Sequence, residues 1–593
     1  MKNEPIRYQV RLTDPAGHRY TVRVTIAQPD PHGQSLRLPA WIPGSYLIRD
    51  FARQIESLQA HCNGKPLPVL KTDSDTWRCA PSTGPLTVEY TVYAWDLSVR
   101  GAHFDESHAF FNGASLFLAV AGQESTPCLL DIRPPAHARN WRVHTSLPAA
   151  TGQPNAAAPL GFGTYLAGNY DALIDFPVEI GTPQHISFET HGAVHDLVFT
   201  GVVPALDLRR IANDVQKICA AQIELFEPDT RRAPFLDSAR RYVFLVMVTG
   251  DGYGGLEHRA STALATRRSD LPTRGCAAPE GYTTFLGLVS HEYFHSWNVK
   301  RIKPAAFAPY DLSRRNHTRL LWVFEGFTSY YDDLMLLRAG VIDEPAYLKL
   351  LARSLDQVAR AGGRHKQSVA ESSFDAWTRY YKQDENSPNA LVSYYTKGSL
   401  VALGLDLEIR RQTGRTHGLD DVLRLLWRRY GRDFYQGKPV GLAEGAMPAL
   451  IAEATGADVD DFIRRHVEEC KDIPLKAALA REGITLTARA EHARPTLAVR
   501  TQADPGGLRL ATVHEHGPAH RSGLSAGDLV VAADHLRITD EASLNRLLDH
   551  HKPGDRVVVH VFRRDELRHY AVRLGRPEPL HHTLTRSRHG ATA

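Results

Sequence analysis

Two histidines and a glutamate, His291-Glu292-Tyr293-Phe294-His295, directly follow the largely apolar run Gly281-Tyr-Thr-Thr-Phe-Leu-Gly-Leu-Val-Ser290. Such a run reads as a helix crossing the interior of a domain. Ionisable side chains are kept there only with partners. Residues four apart share one helix face, so His291 and His295 can each present a ring nitrogen to a single ion. Glu292 then leans beside the ion, where a general base for water is needed, because a bound metal lowers the pKa of water from about 16 to about 7. The segment is therefore constrained to be a buried helix with one face open to a cleft.

A catalytic zinc site takes three protein ligands and keeps one position open. Glu325 is the best third ligand: it interrupts the apolar run Leu320-Leu-Trp-Val-Phe-Glu-Gly-Phe-Thr-Ser-Tyr-Tyr331, and a buried carboxylate persists when paired or metal-bound. Asp332 lies seven residues on, along the same helical face, as a candidate acceptor for a ligand histidine. Asp333 competes for that role, and a solvated surface position is the plainer reading of both. Upstream, the strand-like Tyr242-Val-Phe-Leu-Val-Met-Val248 leads into Gly254-Gly255-Leu256-Glu257-His258. Gly254 and Gly255 let the backbone approach a ligand closely, which sets Glu257 at the rim of the cleft. Downstream, Tyr394-Tyr395-Thr396-Lys397-Gly398 opens a helical run over 399–409. A phenol at a helix start can donate to the oxyanion formed when water attacks a carbonyl. Without the zinc motif the same tyrosines read as packing.

These segments, with HEYFHSWNVKRIKP, LLWVFEGFTSYYDDL and the N-terminal PAWIPGSYLIRDFARQI, together resemble the glycyl-aminopeptidase-like metallopeptidases of peptidase family 61, which carry a C-terminal PDZ domain. That family sits in the gluzincin clan, beside aminopeptidase N and leukotriene A4 hydrolase relatives. The resemblance implies zinc bound by His291, His295 and Glu325, one ion per chain, with Glu292 as general base. It implies that Glu257 grips the substrate's α-amino group and that Tyr395 stabilises the tetrahedral intermediate, Tyr394 being an adjacent rival. His258 stands where related aminopeptidases have asparagine, so the neighbouring subsite is expected to differ. The 29 residues between His295 and Glu325 exceed the aminopeptidase N spacing, and residues 299–304 are expected to form a loop near the cleft.

A chain of 593 residues exceeds what one core supports, and its patterning changes twice. Residues 1–185 alternate with period two between Pro and Gly turns, as in Tyr20-Thr-Val-Arg-Val-Thr-Ile26. The expected fold class is multidomain α+β: an N-terminal β-sandwich over 1–185, a thermolysin-like, mostly helical catalytic domain over 186–480, a PDZ domain over 485–576 and a disordered tail over 577–593. In the family the N-terminal domain helps wall the cleft, and His103-Phe-Asp-Glu-Ser-His108 is a candidate contributor. Gly517-Pro-Ala-His-Arg-Ser-Gly-Leu-Ser-Ala-Gly-Asp-Leu-Val530 resembles the SPAxxAGLxxGD turn of bacterial PDZ domains, with a helix expected over 540–550 and strands over 556–562 and 568–574. PDZ domains add an extended peptide to a sheet edge and take its carboxylate on backbone amides. Gly506, Gly507 and Leu508, before the strand over 509–513, are the expected carboxylate loop, with a C-terminal peptide as ligand. A purely packing PDZ is the alternative.

A formal charge of +4 with no compact basic patch argues against a nucleic-acid partner, and Lys300-Arg301 reads as solvated or cleft-lining. No apolar run of about 18 residues suggests a membrane span. The first ten residues lack a secretory h-region, and the six scattered cysteines have no CxxC, so a cytoplasmic location is expected. The expected function is a zinc aminopeptidase acting on peptides with N-terminal Gly or Ala. The alternatives are a zinc endopeptidase and a PDZ-based peptide-binding protein with a vestigial peptidase site; oligomeric state is not encoded in any motif.

Overall fold

The structure, a computed structural model, describes residues 4–135, 138–437 and 439–586. They fall into two compact units, one comprising 1–316, 331–342 and 423–444, the other 317–330, 343–422 and 445–593.

The first unit begins as the β-rich region expected. Ile6–Asp14 buries Ile6, Tyr8, Val10 and Leu12 and turns the intervening residues outward, the signature of a strand with one face on a core. It lies between Arg19–Ile26, antiparallel, and Cys128–Arg133, parallel, in a seven-stranded sheet. Two four-stranded sheets accompany it. One joins Arg142–His144, Val178–Gly181, Ala109–Phe111 and Ala102–Phe104; the other joins Ala119–Val120, Ser35–Arg37, Thr76–Cys79 and Val69–Asp73.

A five-stranded mixed sheet follows, in the order Gln184–Thr190, Ala193–Thr200, Arg241–Thr249, Ser261–Arg267, Gly254–Glu257. Arg241–Thr249 is parallel to both neighbours, and its buried run from Tyr242 to Val248 fits a central strand covered on both faces. The edge strand Gly254–Glu257 pairs antiparallel with Ser261–Arg267. Helix Gly281–Phe294 packs on this edge and against helix Leu208–Phe226.

The second unit is helical before it turns to β structure. Helix Thr396–Gln412 packs against the π-helical turn Trp322–Gly326 and against helix Glu344–Arg360. The expected PDZ pattern is present: strands Val499–Asp504, Gly507–Val513, Leu529–Ala533, Arg556–Arg563 and Glu566–Arg573, with helix Glu541–Leu548. Leu510, Val530, Leu544, Val559 and Val561 fill its core.

One expectation is corrected here. Residues 581–586 of the supposed disordered tail form a strand, His581–Arg586, antiparallel to Ile484–Arg489. Leu584 is buried, His582 meets Asp356 at 2.8 Å, and the Arg586 Nε donates to Glu344. Charged and polar composition suggested disorder, but these partners lie more than 200 residues away. Residues 587–593 fall outside the described residues. No helix among the described residues is long and apolar enough to cross a membrane.

Candidate metal centre

Helix Gly281–Phe294 carries the histidine motif at its C-terminal end, and His295 caps it, its backbone N–H returning to the His291 carbonyl. Its last turn is held by polar bonds that no surface helix would need. The fully buried Gln222 donates from Nε2 to both the carbonyl and the Oγ of Ser290 at 2.9 Å, and Ser290 Oγ donates to the Asp332 carbonyl at 2.8 Å. Tyr293 meets His195 Nε2 at 2.9 Å.

Both motif histidines have Nδ1 engaged. His295 Nδ1 lies 2.8 Å from the Asn298 carbonyl; a carbonyl only accepts, so the proton is on Nδ1 and Nε2 keeps its lone pair. His291 Nδ1 lies 2.9 Å from Asp332 Oδ2, which selects Asp332 over Asp333 as the orienting carboxylate. Burial raises the Asp332 carboxyl above its ordinary range, against the lowering effect of its bond to His291.

Glycines make room for the acidic residues. A Cβ on Gly255 would stand 2.1 Å from Glu292 Oε1, and one on Gly44, which has φ +92°, would stand 2.3 Å from Glu257 Oε2. Gly254 has open space around it, yet its φ of +151° is one that side chains rarely adopt. Glu257 and Glu292 are both buried, and with His295 they bring ligand atoms within 4.8 Å of one another.

Glu325 is buried in the π-helical turn Trp322–Gly326, a distortion frequent at functional sites. The next residue explains its neighbours: a Cβ on Gly326 would lie 2.7 Å from the Gly398 Cα, so backbone meets backbone where Tyr394–Gly398 passes. Tyr394 is sealed in the interior, where burial pushes its phenol well above 10. Tyr395 is half-buried at the start of helix Thr396–Gln412, its hydroxyl 3.3 Å from that of Tyr381.

The protein-family comparison matches residues 7–182 to the peptidase M61 N-terminal domain, 284–401 to M61 glycyl aminopeptidase and 489–574 to a PDZ domain. Among solved structures, an aminopeptidase N family protein from Idiomarina loihiensis superimposes with a TM-score of 0.92 at 42% identity, covering 98% of each chain. The chain belongs to the M61 peptidase family. It is accordingly a metallopeptidase. An M1 zinc metallopeptidase from Deinococcus radiodurans matches at 14% identity with a TM-score of 0.47, over 80% of this chain and 95% of the other. A probable periplasmic serine endoprotease DegP-like from Halomonas elongata is 37% identical over 71 residues, 12% of this chain; the match spans only 15% of that relative's length.

The oriented imidazoles of His291 and His295 suit the zinc that M61 membership implies, and Glu325 of the other unit is a buried carboxylate of the kind such a site takes. Other expectations near this M61 site are corrected. His258 does not line a subsite: it is buried, its Nδ1 3.1 Å from Asp175 Oδ1. Asp175 also binds Arg259 Nε and Lys300 Nζ, each at 2.9 Å, and these cations hold its carboxyl well below the ordinary range despite burial. Lys300 and Arg301 are likewise buried rather than solvated, Arg301 being bound to Asp237 and to the Arg259 and Ser296 carbonyls. Charged pairs read from sequence as surface because their acidic partners are distant in the chain.

In the PDZ domain, Gly506 and Gly507 form the hairpin between Val499–Asp504 and Gly507–Val513. The Gly506 N–H is taken by Asp504 Oδ1 at 2.9 Å, and Leu508 is buried in the core. This corrects the carboxylate-loop expectation, since those groups serve the turn. Of the two edge strands, Val499–Asp504 and Glu566–Arg573, the first lies beside helix Glu541–Leu548. Gly44 and the Asn298 carbonyl are the site features that sequence reasoning missed. The Pro-Gly dipeptide at Gly44 signals a turn but not its encounter with Glu257, and a backbone carbonyl carries no sequence signal at all.

Proposed function

We propose that the protein is a zinc aminopeptidase of the HExxH-plus-Glu type, removing small N-terminal residues such as Gly or Ala from peptides. The observation carrying this reading is the second buried carboxylate, Glu257, grouped with Glu292 and His295 within 4.8 Å. One carboxylate serves as base; another beside it answers the substrate's ammonium. The preference for a small first side chain is the one the match to M61 glycyl aminopeptidase suggests, and Gly44 leaves room for the Glu257 carboxylate.

His291, His295 and Glu325 would hold one zinc ion, which supplies Lewis acidity toward water and the scissile carbonyl. Asp332 and the Asn298 carbonyl fix the histidine rings. Glu292 takes a proton from the attacking water and delivers it to the leaving amine. Tyr395, the half-buried member of its pair, donates its hydroxyl to the developing oxyanion, a role the interior position of Tyr394 does not suit. Glu257 holds the α-ammonium and so sets the cut one residue from the N-terminus.

Hydrolysis of aminoacyl anilides and their N-acetylated counterparts tests this. Turnover of free-amine glycyl and alanyl substrates alone is expected. Equal turnover of blocked substrates would replace it with endopeptidase action, and absence of both turnover and bound metal would leave a PDZ-based binding protein.

A further inference from the structure

A second group of metal-type donors lies in the N-terminal region, away from the residues used above. His103 is the middle residue of strand Ala102–Phe104, His108 precedes strand Ala109–Phe111, and Asp105 stands in the turn joining them. Ligand atoms of the three lie within 4.8 Å of one another. They line an open cavity of about 750 Å³ with Trp95 and Val202, and none of His291, Glu292, His295 or Glu257 borders it. The expected part of this segment in walling the catalytic cleft is thereby corrected: it faces a different cavity.

The turn prepares each donor. Asp105 spends Oδ1 on the Ser107 and His108 backbone N–H groups and the Ser107 hydroxyl, leaving Oδ2 directed at His103 Nε2, 3.2 Å away. Ligand atoms on a tetrahedral ion with bonds of about 2.0–2.1 Å stand roughly 3.3 Å apart, so this pair already has the spacing of two ligands. His108 Nδ1 meets the buried Glu179 Oε1 at 3.0 Å from strand Val178–Gly181, which directs His108 Nε2 elsewhere. This is the carboxylate–histidine pairing that orients metal ligands. The imidazole rings are 4.8 Å apart. His103 is 97% enclosed, given its 3% exposure, and is held with Nε2 facing Asp105 Oδ2.

We infer that His103, Asp105 and His108, with Glu179 orienting His108, form a second binding site for a divalent transition-metal ion such as Zn2+, with its remaining coordination open to the 750 Å³ cavity. Two imidazoles and a carboxylate suit Zn2+, Co2+ or Ni2+ rather than Ca2+ or Mg2+.

The test is metal content of tag-free, full-length protein equilibrated with micromolar Zn2+ and passed through gel filtration. Two ions per chain are expected for wild type, one for His103→Ala/His108→Ala, and one for His291→Ala/His295→Ala. One ion in wild type, lost with the second double variant and kept with the first, overturns the inference. One ion lost only with the first double variant would instead overturn the catalytic-zinc reading. Asp105→Asn guards against misfolding: with an unchanged circular dichroism spectrum, the second Zn2+ equivalent should bind at least tenfold more weakly by calorimetric titration, and unchanged affinity would sink the proposal.

Discussion

His291 with His295 and His103 with His108 are two histidine pairs on different scaffolds. The first pair stands on successive turns at a helix end, with ring centroids 4.6 Å apart; the second spans a hairpin turn at 4.8 Å. In each, one ring gives Nδ1 to a carboxylate, Asp332 at 2.9 Å and Glu179 at 3.0 Å. The surroundings separate them. Beside the helical pair lie Glu292 and Glu257, carboxylates given space by Gly255 and Gly44. Beside the hairpin pair, Asp105 has one oxygen committed to the turn and the other to His103. Under the proposed reading, the additional carboxylates beside the helical pair are what would set amide hydrolysis apart from metal binding alone.

The largest expected effect tests that distinction directly. Glu292→Gln should lower kcat on a glycyl anilide by about 10²–10⁴ with catalytic zinc retained, the usual contribution of a general base. Asp105→Asn should leave kcat within about twofold, since nothing in the hairpin group borders the catalytic residues. A comparable loss in both variants would erase the contrast between the two pairs.

Next in size are the orienting carboxylates. Asp332→Asn should weaken zinc binding at the helical site by about 10–100-fold in chelator competition, the range for lost partners of ligand histidines. Asn still accepts at that position but carries no charge, so a fall of less than twofold would mean that geometry alone orients His291. Smaller again is Gly44→Ala. Its Cβ would collide with Glu257 at a backbone position of φ +92°, and an increase of about tenfold in KM is expected, with kcat changed less. An unchanged KM would remove Glu257 from substrate binding.

Much of the proposed catalytic group was legible because each member breaks a pattern: His291, Glu292, His295 and Glu325 are ionisable residues in apolar runs. The β-rich start and the PDZ pattern were visible for the same reason, as period-two strands between turns. What stayed hidden depends on encounters across the chain. Nothing local in Pro43-Gly44 announces Glu257, more than 200 residues away. Asp332 and Asp333 are neighbours in sequence, and only the helix register chooses between them. Gly506 and Gly507 looked like a carboxylate loop, yet the same glycines serve a tight hairpin, and local composition does not distinguish the two. Arg301 looked solvated because Asp237 is 64 residues distant.

A mild acid shift sharpens the comparison through the element beneath the helical pair. His195 is fully buried, with Nδ1 3.0 Å from the Ala193 carbonyl and Nε2 2.9 Å from Tyr293 on the histidine helix. Burial holds its pKa down to about 3. The unfolded chain, with an ordinary histidine pKa of about 6.5, takes up a proton first, so this group costs no stability above that value. Between about 6.5 and 3 it removes about 1.4 kcal/mol per pH unit. His195→Gln lacks that titration. Urea unfolding followed at pH 7, 6 and 5 should therefore show the wild-type advantage over the variant narrowing, by close to the full slope over the last unit. A gap independent of pH would mean that His195 takes up its proton as readily in the folded protein as in the unfolded chain, and that burial does not hold the ring beneath the helical pair neutral.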